Sequence, residues 1–258
     1  MTRETWLIWT RSEGQDLSAE GSGGPLRILA IDTTTRAGST AVLDDQHVLI
    51  ELTGVAAITH GERLPSDVAR TLSAAGVALD TVDLLAVVAG PGSFTGLRVG
   101  IASMQGLAFA RGLKIVPVSA LEAIARQAHR SMTPGRTIAA WVDAHRGEVF
   151  ATLYAGSPLG ELAPPAAASP EDTLRSCERL DVSGSLFFAG DGAVRYRDAI
   201  VATLGERAEV QAAAAALAAE AGRIAAVHPE RAVTPDAVVP IYVRRPDAEL
   251  ARERARTR

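Results

Sequence analysis

What this sequence lacks bounds it before any motif does. It holds a single cysteine, Cys177, so it forms no internal disulfide and no cysteine-rich zinc site. That fits a reducing compartment, and a cytoplasmic protein is the expectation. No apolar run approaches the ~18 residues of a membrane span, so no membrane role is expected. Positive charge is not in surplus: 26 Lys and Arg stand against 30 Asp and Glu, for a net charge of -4. A nucleic acid would have to be met through a local patch or through another subunit. Neither GxGxxG nor GxxxxGK[ST] occurs, so the standard nucleotide motifs give no support. No nucleophile stands with a base and an orienting acid at readable spacing, and no metal motif appears. A peptidase is therefore the weakest of the readings kept open.

What is present reads as a globular α/β protein. The 258 residues are 47% hydrophobic and 22% charged, long enough for one large domain or two lobes. Residues 1–25 carry the short apolar piece Trp6-Leu7-Ile8-Trp9, then Arg11 and Glu13, then a Ser/Gly-rich stretch. The expectation is a disordered extension rather than a signal peptide. Arg27–Asp32, Ser39–Leu43 and Val48–Leu52 read as three strands joined by short turns, an antiparallel meander. Leu64, Val68 and Leu72 then recur at helical spacing between His60 and Ala75. A strand at 84–88, a helix from Thr95 to Arg111 and a strand at Lys114–Val118 follow, and Ser119 with Glu122 makes a capping box.

After Pro134 a second set begins. It comprises strands at Thr137–Val142 and Glu148–Tyr154, a loop over 156–170, and a strand at Leu186–Ala189 entering Gly190-Asp191-Gly192. A helix over 212–226 and a final strand at Val238–Val243 complete it. The order of the first set is that of a ribonuclease H-like lobe, 26–118; the second set covers 119–245, with a charged tail at 246–258.

The most telling stretch is Gly90-Pro91-Gly92-Ser93-Phe94-Thr95-Gly96-Leu97-Arg98, a glycine-rich turn between a buried strand and a helix. Two readings stand. It is a phosphate loop at a helix N-terminus, or a tight turn that lets two helices pack. The helix behind it has two rows at helical spacing. Leu97, Ile101, Met104 and Ala108 form one, and Ala102, Gly106 and Ala110 the other. One row can face the sheet while the other faces a partner.

Several segments taken in order resemble the TsaB family. They are Ile28–Thr33, His60-Gly61-Glu62-Arg63-Leu64, the glycine run through Gly100, and Gln105-Gly106-Leu107-Ala108. They continue with Pro117–Leu121, Asp143–Phe150 and Pro240–Arg244. The resemblance implies two lobes of the actin-like ATPase class and a non-catalytic scaffold subunit. It also implies a heterodimer with a catalytic paralogue, TsaD, which transfers a threonylcarbamoyl group to the tRNA adenosine beside the anticodon. In that paralogue a His-x-x-x-His pair binds the metal, and those positions fall on Ala120 and Ile124 here. A glycine pair that holds phosphate there is replaced by Asp143-Ala144-His145-Arg146.

The implied interface residues are His60, Leu64, Val68, Gly92, Phe94, Arg98, Ala102, Gly106 and Ala110. An ATPase subunit, TsaE, joins that assembly, tRNA is met mainly through the complex, and a homodimer stands in for the heterodimer when the chain is alone. No cofactor is expected. Asp32, Thr33, Gly190 and Gly192 mark a vestigial nucleotide cleft, which leaves room for weak ATP or ADP binding. The alternative is an active ATPase or phosphotransferase, with Asp32 near Mg²⁺. The bland readings are that Asp32 bonds its own turn, that His60 is a cap or surface residue, and that the C-terminal arginines form a solvated tail.

Overall fold

The computed structural model describes residues 24–132, 135–179 and 184–244. Most of the expected extension, 1–25, and the whole of the charged tail, 246–258, lie outside these residues. The first sheet has the order β3-β2-β1-β4-β5. Strands β1 (Arg27–Asp32), β2 (Ser39–Asp44) and β3 (His47–Thr53) form the antiparallel meander, and β4 (Leu84–Gly90) and β5 (Ile115–Ser119) add in parallel. β4 is buried along its whole length, as befits a strand covered on both faces. On one face lie helices α1 (His60–Ala75) and α2 (Phe94–Arg111).

The second sheet has the order β11-β10-β6-β7-β8, with β9 also on β7. Its centre is the hairpin of β6 (Thr137–His145) and β7 (Glu148–Gly156), with β8 (Leu159–Glu161) and β9 (Ala166–Ala168) beside it. β10 (Leu186–Ala189) and β11 (Ala208–Val210) extend it in parallel. Helices α4 (Pro170–Arg179), α5 (Asp191–Arg195) and α6 (Arg197–Leu204) accompany it.

Between the sheets run α3 (Ala120–Ser131) and α7 (Ala218–Val227). One apolar cluster joins Ile28 and Leu43 of the first sheet to Leu121 and Ile124 of α3, Ile224 of α7, and Ile138 and Val142 of the second sheet. Arg130 of α3 pairs with the buried Glu220 of α7.

Four expectations differ from the structure. The expected division assigns everything from 119 to 245 to the second lobe. Instead α7 packs on β1, β2 and β4, and Ile115 pairs with Val233, so the chain returns to the first sheet. The helix expected over 212–226 starts at Ala218. Alanine has no capping atom, so the start falls where other strands supply acceptors: Ser39 Oγ takes the Ala218 N–H at 3.0 Å and Glu51 Oε1 the Ala219 N–H at 2.9 Å. The loop over 156–170 contains the short strands β8 and β9, held by the free edge of β7. Conversely, Val238–Val243 is not a strand: only the Ile241 N–H reaches the first sheet, at Ala89 O, 2.8 Å away.

One buried ion pair ties loops to helix α1. Arg63 and Asp67 are both buried and paired at i, i+4 spacing. Arg63 also donates to Ile58 O at 3.3 Å, to Arg36 O at 3.2 Å, and to Ala37 O. Arg63→Met is expected to cost about 3 kcal/mol, because Asp67 keeps a buried charge with only Arg70 left to meet it. The double variant Arg63→Met/Asp67→Leu should recover most of that loss in urea melts. A loss below about 1 kcal/mol for the single variant would remove the pair from its structural role.

Candidate partner face and inter-lobe cleft

β1 delivers Asp32 and Thr33 to the cleft between the lobes, both almost fully buried. Asp32 Oδ1 accepts from the Thr34 N–H at 2.8 Å and from Thr34 Oγ1 at 2.6 Å. Burial pushes the carboxyl up to about 6, against the lowering by these two bonds. The bland reading of Asp32, a carboxylate bonding its own turn, is the geometry seen.

The glycine run packs on that same turn. Gly92, Gly96 and Gly100 form one row at i, i+4 spacing. A Cβ on them would lie 2.6 Å from Thr34 Cβ, 2.1 Å from Thr33 O and 2.2 Å from Thr33 Oγ1. The Ser93 N–H donates to Thr34 O at 2.8 Å, and Ser93 Oγ caps α2 by accepting from the Gly96 N–H at 3.3 Å. Close packing is therefore what these glycines serve, and the packed surface is the chain's own Thr33–Thr34 turn.

The second glycine turn does the same on β6. Gly190 has φ +102, and a Cβ there would lie 2.2 Å from Trp141 O; one on Gly192 would lie 2.9 Å from the Val142 carbonyl carbon. Asp191 Oδ1 accepts from the N–H groups of Asp143 and Gly192 at 3.1 and 2.9 Å. The cleft, lined by Thr34, Thr35, Gln127, Gly190, Asp191 and Gln211 among others, has a volume of about 20 Å³. Ligand pockets typically measure ~300–1,000 Å³. Of the four candidate nucleotide residues, only Gly190 lines this space. Ala120 and Ile124 are buried in the inter-sheet core.

Asp32 gives a pH prediction with a definite sign. The folded chain keeps its proton up to about 6, the unfolded chain only to 3.8. Stability therefore falls as pH rises from 4 to 6, by about 3 kcal/mol for this group. Asp32→Asn keeps the acceptor oxygen for Thr34 and removes this dependence. It should unfold at higher denaturant than the parent at pH 7.5, with the gap closing toward pH 4. Equal stability at both pH values would contradict the assignment.

The outer face of α1 and α2 is different in kind. Leu97, Ile101, Met104 and Ala108 are buried, whereas Ala102, Gly106 and Ala110 are exposed. The two rows on α2 thus face opposite ways. Between α1 and α2 lies an apolar groove of about 680 Å³, lined by residues including Leu64, Pro65, Val68, Leu72, Ala102, Gly106 and Leu107, with Ile31 of β1 also in its wall. Phe109, 86% exposed, stands on the same helix.

The candidate interface residues separate into three groups. Leu64, Val68, Ala102 and Gly106 line the groove, and Ala110 is exposed one turn beyond. Phe94 and Arg98 lie at the start of α2, the guanidinium 3.8 Å from the ring centre, with Phe94 stacked on Tyr242 at 5.8 Å. His60 and Gly92 are turned inward. His60 Nε2 donates to Thr35 O at 2.8 Å and its Nδ1 accepts from Arg63 at 3.0 Å, and burial lowers its pKa. Gly92 sits against Thr34.

Arg63 and Tyr242 were not singled out from the sequence. The signal available for Arg63 was a charge on the buried side of an amphipathic helix. Among the described residues, no group of three or more His, Cys, Asp or Glu could hold a metal ion, and no helix is long and apolar enough to cross a membrane.

The two sheets, the central helices and the cleft define two ribonuclease H-like lobes of the actin-like class. A family model described as TsaD, tRNA N6-adenosine threonylcarbamoyltransferase, matches residues 52–252. Within that family the chain belongs to the TsaB group. It is 40% identical over 129 residues to the Escherichia coli tRNA threonylcarbamoyladenosine biosynthesis protein TsaB, across 50% of this chain and 55% of that one. It is 39% identical over 128 residues to the Haemophilus influenzae protein of the same description, across 48% and 52%. The chain thus spans about half the length of these curated relatives. A Mycobacterium tuberculosis relative, described as uncharacterized, is 32% identical over 224 residues, covering 86% of this chain and 93% of that one. Among solved structures, YeaZ from Pseudomonas aeruginosa is similar at TM-score 0.68 and 32% identity, across 84% of this chain and 99% of that one.

Proposed function

We propose that this chain is a non-catalytic subunit for threonylcarbamoyl transfer to tRNA, and that it binds its catalytic paralogue TsaD through the α1–α2 face. The observation that carries this is the groove of about 680 Å³, an unpartnered apolar surface flanked by exposed small residues. Small residues at Ala102, Gly106 and Ala110 let another helix approach closely. The lack of chemistry in the cleft supports the same reading. Asp32 and Asp191 accept from neighbouring groups of the chain itself, the cleft's volume is about 20 Å³, and apolar residues occupy the paralogue's metal-binding positions. The cleft would have to open for ATP or ADP to bind, so we assign no resident nucleotide. TsaE joins the pair, tRNA is met through the assembly, and the setting is cytoplasmic. Alone, the same face pairs two copies of this chain.

A titration of purified catalytic paralogue onto this chain tests the reading. A saturable complex is expected, with buried apolar surface reported by a negative heat-capacity change. No complex at micromolar concentrations would overturn it.

A further inference from the structure

We propose that the cavity between β7, β9 and α4 is a binding site for one small, uncharged, ring-sized molecule that carries a hydrogen-bond acceptor. The site is built on the second sheet and is independent of the α1–α2 face. Its volume is about 110 Å³. That lies below the range of drug-sized pockets, ~300–1,000 Å³, and near that of engineered apolar cavities of about 150 Å³ that take up a single benzene ring. The sequence explains why space remains there. Trp141 of β6 and Leu153 of β7 are large, but the segment that completes the wall contributes only Ala163, Pro164, Ala166 and Ala168, too small to close the gap up to α4. The floor is buried and the rim is not: Trp141, Ala151 and Cys177 are buried, whereas Pro164 and Ser176 are exposed. A small molecule therefore has a way in that leaves the sheet intact.

One polar atom decides what enters. Trp141 is fully buried, and its indole Nε1 has no acceptor among the described residues. A buried donor left unmet costs stability, so such atoms are rare and call for a partner. Phe188 holds the indole in place, its ring at 85° and the ring centres 5.3 Å apart. The hydroxyls of the wall are turned to the backbone. Thr152 Oγ1 donates to Ala163 O, Thr173 Oγ1 to Ser169 O at 2.8 Å, and Ser176 Oγ to Asp172 O at 2.9 Å. The indole N–H is thus the side-chain N–H or O–H of the wall with a bond still to make. No charged side chain of the described residues lines the space, which disfavours an ionic ligand. Water is a poor occupant. A buried water makes ~3 hydrogen bonds and takes up only ~30 Å³. Here it would find one spare donor in a mostly apolar wall, and displacing so weakly held a water by an apolar ring gains affinity. A ring bearing a carbonyl meets both demands: its oxygen accepts from Nε1–H, and its carbons pack on the alanines.

Cyclohexanone and methylenecyclohexane, two rings of the same shape of which only the first carries an acceptor, test this by NMR. The full chain with Trp6→Phe and Trp9→Phe keeps Trp141 as its one tryptophan, so a single indole N–H signal remains in a nitrogen–proton correlation spectrum. Cyclohexanone should move that signal saturably, with a Kd of about 0.1–10 mM, the range open to a ligand of so few atoms. Methylenecyclohexane should bind at least about fivefold more weakly, because it leaves the indole N–H unmet. Ala168→Leu fills the cavity from β9 and should lower the cyclohexanone affinity at least about tenfold while the melting midpoint holds. Should that variant not fold, the comparison of ketone with alkene decides alone. No saturable shift up to about 50 mM cyclohexanone would leave the cavity to water and overturn the proposal. Equal affinity for the two rings would show that the Trp141 N–H does not select the ligand, and unchanged affinity in folded Ala168→Leu would place the ketone elsewhere. Either result overturns it too.

Discussion

Gly96→Val abolishes soluble folded protein, or lowers stability by more than about 4 kcal/mol. A Cβ at Gly96 would lie 2.1 Å from Thr33 O, a backbone atom at the end of the central strand β1. No flexible side chain can give way there. Either α2 shifts off the first sheet, or the Thr33–Thr34 turn moves and breaks the Ser93 N–H bond to Thr34 O at 2.8 Å. Gly106→Ala on the same helix is the control. It meets open space, and replacing a helical glycine should raise stability by about 0.5–1 kcal/mol. Two glycines ten residues apart therefore respond with opposite sign. Urea melts of both variants check it, and a tolerated Gly96→Val would mean that the glycine run does not serve close packing.

The second large effect concerns association. Gly106→Arg should weaken binding to the catalytic paralogue by at least ~100-fold, near 3 kcal/mol, while the isolated chain keeps its melting midpoint. The arginine would enter the centre of an apolar groove where no described carboxylate lines the wall. Burying that charge without a partner costs several kcal/mol. Leu64→Ala is a weaker choice for the same question. Leu64 is only 2% exposed and belongs to the core beneath the groove, so its loss mixes stability with binding. Isothermal titration with both variants separates the two. Unchanged affinity for Gly106→Arg would move the interface elsewhere.

The local parts of this fold were legible in the sequence. β1 to β3 alternate with short turns, and α1 spans His60–Ala75 as its spacing predicted. The two rows of α2 separated correctly into buried and exposed faces, because a period of 3.6 assigns faces without knowledge of the neighbours. What was not legible depends on residues distant in sequence. The start of α7 is set by Ser39 and Glu51, from strands on the other side of the chain. β8 and β9 exist because β7 offers an edge. His60 looks like a surface histidine until Thr35 and Arg63 are seen to hold its ring. The glycine run was open between a phosphate loop and a turn that lets two helices pack, and the structure packs it instead on the Thr33–Thr34 turn, which lies about sixty residues away in sequence.

The most direct test of the scaffold reading is threonylcarbamoyl transfer to tRNA by the purified paralogue supplied with activated donor. Four reactions are run: paralogue alone, this chain alone, both together, and paralogue with Gly106→Arg. Product is expected only in the third. Product from the paralogue alone at the same rate, or equal product with Gly106→Arg, would contradict a role exerted through the α1–α2 face.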